Sequence, residues 1–162
     1  MTAIAYNSDQ MIANGGAGAK NFGLGHGYGG VAKEYIWRGK FTAAPLITDY
    51  INMGWVPKGF RVTGCTITAE DMDTSTGLTL DVGDAGDQDR LIAASAVGQA
   101  NTLKVDSLRP SAITGAEPTL GFGYKYTADT LIVVTALAAP SGTGSAGYVL
   151  VSLRGVIEGS AS

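Results

Sequence analysis

Acidic residues are concentrated in one part of this chain, and their type and spacing could support cation chemistry. Seven of the 14 carboxylates lie between Glu70 and Asp89. Calcium prefers oxygen ligands, so a folded loop could bring a candidate group to one cation. These candidate metal ligands are Asp81, Asp84, Asp87 and Asp89. Asp and Gly also form turns in which the side chain accepts hydrogen bonds from nearby backbone N–H groups. We favour the turn interpretation and keep calcium as the alternative.

The segment that begins at Asp71 fails the requirements of a helix-flanked calcium loop. Such a loop needs glycine at its sixth position and a bidentate glutamate at its twelfth. This chain has Thr76 and Val82 at those positions. The sequence therefore predicts no cofactor from this pattern, and calcium remains open only for the later aspartates.

Residues for nucleophilic or acid-base catalysis are scarce. His26 is the only histidine and lies among glycines, where no neighbour would orient it as a catalytic base. Cys65 is the only cysteine and falls in a strand pattern, where cysteine usually acts as a small core residue. A single cysteine excludes an intrachain disulfide and fits synthesis in a reducing host cytoplasm. We expect no catalytic residues and no enzymatic activity.

The composition favours a protein with a protein partner. Its 162 residues suit one domain, and only 15% are charged against 45% hydrophobic. A surface so poor in charge indicates that another chain covers part of it. The net charge of −3, without clustered Lys and Arg, argues against nucleic acid and membrane partners.

Glycine dominates the N-terminal part of the chain. Between Gly15 and Gly30, eight of 16 residues are glycine, and ordering them costs backbone entropy that few apolar side chains offset. We predict a flexible arm over residues 1–30 and a single domain over residues 31–162. The predicted protein-interaction residues are Lys20, Phe22, Leu24, His26 and Tyr28 in the arm, with Trp37 and Trp55, which fill either core or interface.

Apolar residues alternate with polar ones in several short runs after the arm, which is the pattern of strands with one buried face. A glycine within one run, Gly64, marks a candidate bulge. No window has the 3.6-residue period of a helix. The predicted runs are Glu34–Phe41, Thr48–Asn52, Phe60–Ala69, Leu78–Val82, Arg90–Ser95, Gly121–Thr127, Leu131–Leu137 and Tyr148–Ile157. The sequence therefore predicts an all-β protein, an antiparallel β-sandwich of jelly-roll type.

Several turn and strand motifs resemble those of small structural proteins of tailed bacteriophages, including capsid decoration, or cement, proteins. The motifs run from Val56 to Val62, from Asp71 to Thr74, from Leu78 to Asp84, from Asp87 to Ile92, and from Tyr124 to Val134. The resemblance implies a β-sandwich on the capsid exterior of a virion, commonly trimeric, that secures joints between major capsid subunits. It implies no catalytic residues.

The leading hypothesis is thus a non-enzymatic virion protein that binds the major capsid protein and itself, as a homo-oligomer with a trimer favoured. Two alternatives remain. One is a structural protein of a phage tail, tube or fibre, where β-sandwiches also stack. The other is a calcium- or carbohydrate-binding β-sandwich module.

Overall fold

The computed structural model describes residues 5–7, 32–100, 105–108 and 121–158, with the backbone alone for residues 5–7. These residues form nine strands. The strands are β1 (Ala5–Asn7), β2 (Ala32–Phe41), β3 (Tyr50–Val56), β4 (Phe60–Ala69), β5 (Thr79–Asp84), β6 (Asp87–Ser95), β7 (Val105–Ser107), β8 (Thr130–Ala138) and β9 (Gly147–Ile157). The described part of the chain contains no helix, and hence none that could cross a membrane. The all-β prediction is confirmed.

Two sheets face each other. One has the order β1-β3-β8-β5-β6 and the other the order β2-β9-β4-β7. Strand β2 pairs with β9, β3 with β8, β4 with β7 and β5 with β6, all antiparallel. This nesting is a long hairpin rolled into two sheets, which is the jelly-roll arrangement. The predicted sandwich and its topology are both confirmed.

The core fills the space between the sheets because alternate residues of each strand point inward. Strand β9 shows the rule, since Val149, Val151 and Leu153 are fully buried while Leu150 and Arg154 are exposed. Each large apolar side chain removed from water stabilises the fold by roughly 1.5–3 kcal/mol. The largest fully buried side chains come from both sheets and the loops: Tyr126, Phe41, Phe60, Ile51, Met53, Ile67, Met72, Leu78, Leu80, Leu91, Ile132 and Leu153.

The bulge predicted at Gly64 is present. The register of β4 against β9 shifts between Val62 and Gly64, so the buried positions change from Phe60 and Val62 to Cys65 and the odd-numbered residues that follow. One extra residue in β4 is what moves the inward face by one position. Without the bulge, the second half of β4 would turn its polar side inward.

Three predictions of detail were wrong. The aromatic alternation of Gly121–Thr127 does not form a strand; it makes a turn and an isolated bridge between Lys125 and Arg61. Asp81 was placed on a wet face, but it is 4% exposed because a bulge in β6 brings the Ala94 N–H to 2.7 Å from its Oδ1. Strand β1 was not expected, because three residues are too few for a periodic pattern.

The predicted N-terminal arm lies outside the described residues, apart from β1. This short strand runs parallel to β3 at the edge of its sheet, with Asn7 opposite Asn52. The division into an arm over residues 1–30 and a domain over residues 31–162 stays a prediction.

Candidate functional site

Asp84 closes the hairpin between β5 and β6. Its Oδ1 accepts hydrogen bonds from the backbone N–H groups of Gly86 at 2.9 Å and Asp87 at 3.1 Å. Its Oδ2 accepts one from Arg90 Nε at 2.7 Å. The Arg90 guanidinium also lies over the Tyr124 ring, 4.0 Å from the ring centroid. Asp84 is therefore engaged by a turn and an ion pair, which is the structural role that competed with calcium binding.

The other three candidate calcium ligands have different surroundings. Burial raises the pKa of Asp81, which its hydrogen bond from Ala94 only partly offsets. A hydrogen bond between the carboxyl groups of Asp87 and Asp89 raises the pKa of Asp87. Within residues 32–100, 105–108 and 121–158, no three His, Cys, Asp or Glu residues are grouped so that they could hold a metal ion.

Asp73 organises the loops at one end of the sandwich. Its carboxylate accepts hydrogen bonds from five backbone N–H groups, at distances of 2.8 to 3.2 Å. The donors belong to Ser75, Gly77, Leu78, Ser141 and Gly142, so one side chain ties the β4–β5 loop to the β8–β9 loop. Burial raises the pKa of Asp73, but these hydrogen bonds lower it further, and the net result is a pKa well below the usual range.

Glycines let these loops pack against one another. A Cβ atom on Gly77 would lie 2.5 Å from Ser141 Cβ, and one on Gly144 would lie 2.7 Å from Ala44 Cβ. Three loops thus form one compact surface, which we call the loop end: residues 42–48, 74–78 and 137–147. It is held by backbone hydrogen bonds as well, for example from Thr74 N–H to Thr143 O.

The two ends of the sandwich differ in charge. The loop end contains no Asp, Glu, Lys or Arg residue. Three of its apolar side chains are exposed, with Leu46 at 40%, Ile47 at 57% and Leu137 at 51%. The opposite end, which we call the charged end, carries Lys58, Arg61, Asp84, Asp87, Asp89, Arg90, Lys125, Asp129 and Glu158. Because interface centres are depleted in charge, the loop end has the composition of a protein-binding surface.

An ion-pair network crosses the charged end. Glu158 Oε1 lies 2.5 Å from Arg61 Nε, and Glu158 Oε2 lies 2.9 Å from Lys125 Nζ. Hydrogen bonds from Arg61 and then Lys125 lower the pKa of Glu158 to about 2. Beside this network is a cleft of about 250 Å³ lined by Lys58, Gly59, Lys125, Tyr126, Thr127 and Glu158. The network joins β4 and β9 to the segment that precedes β8.

The outward side of the β2-β9-β4-β7 sheet is the second surface with exposed apolar groups. Ile36 is 51% exposed, Val105 54% and Leu150 38%, and the register places Leu150 and Val105 in the row that Thr68 shares. Arg38 and Lys40 lie over the Tyr148 ring at one margin, at 4.9 and 5.0 Å from its centroid. We call this surface the outer sheet face; it has an apolar centre and a basic margin.

The predicted interaction residues are placed as follows. Trp37 is 5% exposed and belongs to the core, where its ring stacks on Tyr35 with centroids 5.5 Å apart. Trp55 is half-buried on β3. The structure thus puts Trp37 in the core, one of the two roles left open for it. The remaining candidates, Lys20, Phe22, Leu24, His26 and Tyr28, lie outside the described residues.

Cys65 lies in the core, as its strand pattern indicated. It is 3% exposed, and burial raises the pKa of its thiol to about 12. Nucleophilic cysteine chemistry requires the thiolate, which this environment disfavours.

Sequence reasoning missed the loop end and the partners of the acidic residues. The signal for the loop end was present, because residues 42–48 and 137–147 are two uncharged stretches that each contain apolar residues. Nothing in the sequence shows that they meet, since they are separated by most of the domain. Arg90 was likewise within six residues of Asp84, a spacing that becomes a contact only across a hairpin.

The fold is shared with chains found in phage capsids. A chain in the structure of the cyanophage Pam1 capsid asymmetric unit is 28% identical, with a TM-score of 0.68, over 87% of this chain and 95% of that one. A chain in the capsid of Ralstonia phage GP4 is 21% identical with a TM-score of 0.62, over 97% of this chain and 99% of that one, and shows the same fold. The predicted resemblance to phage capsid-associated proteins is confirmed, and it supports a virion structural role.

No protein-family model matches this chain, and no curated protein matches it.

Proposed function

We propose that this protein is a non-enzymatic virion structural protein that decorates and stabilises a phage capsid from the outside by binding major capsid subunits. The observation that carries the proposal is the similarity to a chain of the cyanophage Pam1 capsid over nearly the full length of both chains. The low content of charged residues, at 15%, supports extensive contact with other proteins.

The outer sheet face is the contact surface that we assign to the major capsid protein. Its centre offers Ile36, Leu150 and Val105, and its margin offers the cations Arg38 and Lys40. An apolar centre with a polar rim is the usual anatomy of a protein interface. The glycine-rich arm, with Lys20, Phe22, Leu24, His26 and Tyr28, adds a second contact that repeats at every symmetry-related site and so raises the overall avidity.

Electron microscopy of parent virions labelled with gold-conjugated antibody against this protein tests its location. Label on the outside of the head is the expected result. Label confined to the tail would contradict capsid decoration and favour the tail, tube or fibre alternative.

A binding measurement tests the contact surface. Capsids prepared without this protein are mixed with fluorescent wild-type protein or with the variant Ile36→Lys, and bound protein is counted per particle. The variant is expected to bind at least tenfold more weakly, because a lysine placed at an apolar interface centre must lose its hydration. Ser145→Lys, an exposed substitution in the loop end, is the control and is expected to bind capsids like the wild type.

A further inference from the structure

The tips of the loop end are apolar groups held in fixed positions. Asp49 Oδ2 accepts a hydrogen bond from Leu46 N–H at 3.0 Å, and Asp49 N–H donates to Leu46 O at 3.0 Å, which closes the turn that presents Ile47. Thr48 N–H donates to Ala136 O at 2.9 Å. These bonds bring the turn beside Leu137, the exposed residue that follows Ala136.

The turn includes an unfavourable backbone conformation. Thr48 has a φ of 73°, and a β-branched residue rarely adopts this left-handed region. Strain of this kind persists where the surrounding bonds over-determine the conformation, and it often marks a functional segment. A surface fixed in advance loses less conformational entropy on binding.

The absence of charge indicates which partner the loop end fits. Copies of one chain arranged around a symmetry axis place each residue near the axis beside the same residue of a neighbouring copy. A charged residue there would face its own charge, which costs free energy, whereas uncharged and apolar residues carry no such cost. The charged end, with both signs of charge, would pack against itself less favourably.

We propose that the loop end is a self-association surface, on which Leu46, Ile47 and Leu137 pack against the loop end of a second copy of this chain. The outer sheet face is then left for the capsid. The inference rests on the homo-oligomer expected with the proposed function, but it concerns the protein alone and can be tested without capsids.

The first test compares two isoleucines of similar exposure. Ile47 is 57% exposed in the loop end, and Ile36 is 51% exposed on the outer sheet face. Size-exclusion chromatography with light scattering of the full chain is expected to show oligomers for the wild type and for Ile36→Lys, and single chains for Ile47→Lys. A wild type that stays a single chain, or an Ile47→Lys protein that associates like the wild type, would overturn the proposal.

The second test distinguishes contact with a copy from contact with another protein surface. Ile47→Lys and Ile47→Asp are each expected to remain single chains, because each brings like charges together. Mixing the two variants is expected to restore association, since opposite charges then meet across the contact. Failure of the mixture to associate would show that the loop end does not face itself. A result in which only capsid binding is lost would assign the loop end to the capsid instead.

The two proposals fail separately. Loss of capsid binding by Ile36→Lys concerns the outer sheet face, while the mass of the purified protein concerns the loop end. Circular dichroism melting of each variant shows that the fold is retained, which is expected because both isoleucines are exposed.

Discussion

At the scale of single residues, the acidic side chains of this protein hold loops and turns together. Asp73 and Asp84 each accept several hydrogen bonds from backbone N–H groups, and Glu158 joins two cations. A carboxylate suits these positions because ionised acceptors form stronger hydrogen bonds than neutral ones. The acidic residues between Glu70 and Asp89 thus contribute architecture rather than a common site.

Replacing Asp73 by asparagine is expected to destabilise the protein. The amide offers one acceptor oxygen, and its NH2 group would face backbone N–H donors that now have no acceptor. We expect the melting temperature of Asp73→Asn to fall by several degrees in calorimetry. Asp71→Asn, an exposed change in the same loop, is the control and should melt within about a degree of the wild type. Equal melting of all three proteins would contradict the role assigned to Asp73.

Glu158 gives a pH dependence of known sign. Its pKa is about 2 in the folded protein against an ordinary value of 4.5. A lowered pKa in the folded state means that the ion pairs stabilise the fold above about pH 4.5, and that this contribution is lost as the pH falls towards 2. The effect is modest because the side chain is partly exposed and solvent screens it.

The variant Glu158→Gln isolates this contribution. It is expected to melt below the wild type at pH 7, and the difference is expected to shrink between pH 4.5 and pH 2. Asp73 titrates in both proteins, so its effect cancels in the comparison. A difference that stays constant down to pH 2 would rule out the ion pairs as its source.

At the scale of elements, the loops of the loop end are positioned by close packing as much as by hydrogen bonds. The three loops approach so closely that a methyl group at Gly77 would overlap Ser141. Cores and packed loops tolerate extra volume poorly, because the neighbouring backbone must move. The strands, in contrast, absorb an extra residue at the β4 bulge without loss of pairing.

Two glycine substitutions separate these cases. Gly77→Ala is expected to lower the free energy of unfolding by about 1–3 kcal/mol, since its Cβ would lie 2.6 Å from Ser141 N. Gly64→Ala is the matched control, because a Cβ there meets nothing within 4 Å. Urea unfolding measures both. Equal destabilisation would mean that intrinsic glycine effects, and not loop packing, dominate.

At the scale of the whole molecule, the sandwich has three distinct surfaces: an uncharged loop end, a charged end and an apolar outer sheet face. Each suits a different environment. We assign the loop end to copies of the chain, the outer sheet face to the capsid and the charged end to solvent, where charged residues keep their hydration. This arrangement gives the protein a defined orientation in an assembly.

The N-terminal segment is expected to contribute to capsid binding through its side chains. A full-length variant with Phe22, Leu24 and Tyr28 changed to serine keeps β1 and the chain length, and is expected to bind capsids at least tenfold more weakly. A truncation that begins at Ala32 also removes β1, so it is the less specific version of the test. Capsid saturation by the serine variant at wild-type concentrations would exclude these side chains as contacts.

The sequence by itself determined the class of fold, the strands with strong alternation and the bulge at Gly64. Alternation reports which face of a strand is buried, and that property is local to the strand. Weak alternation misled at Gly121–Thr127, where a turn with Gly121 and Gly123 at positive φ interrupts the pattern. The short strands β1 and β7 carry too few residues for any pattern.

Only the tertiary structure decided what the polar residues do. Asp81 became buried through a bulge in another strand, and Asp84 met Arg90 across a hairpin. Asp73 gained donors from Ser141 and Gly142, more than 60 residues away. The loop end arises in the same way, because the jelly roll brings distant loops to one end. Burial patterns are set along a strand, whereas contacts between loops depend on how all the strands are arranged.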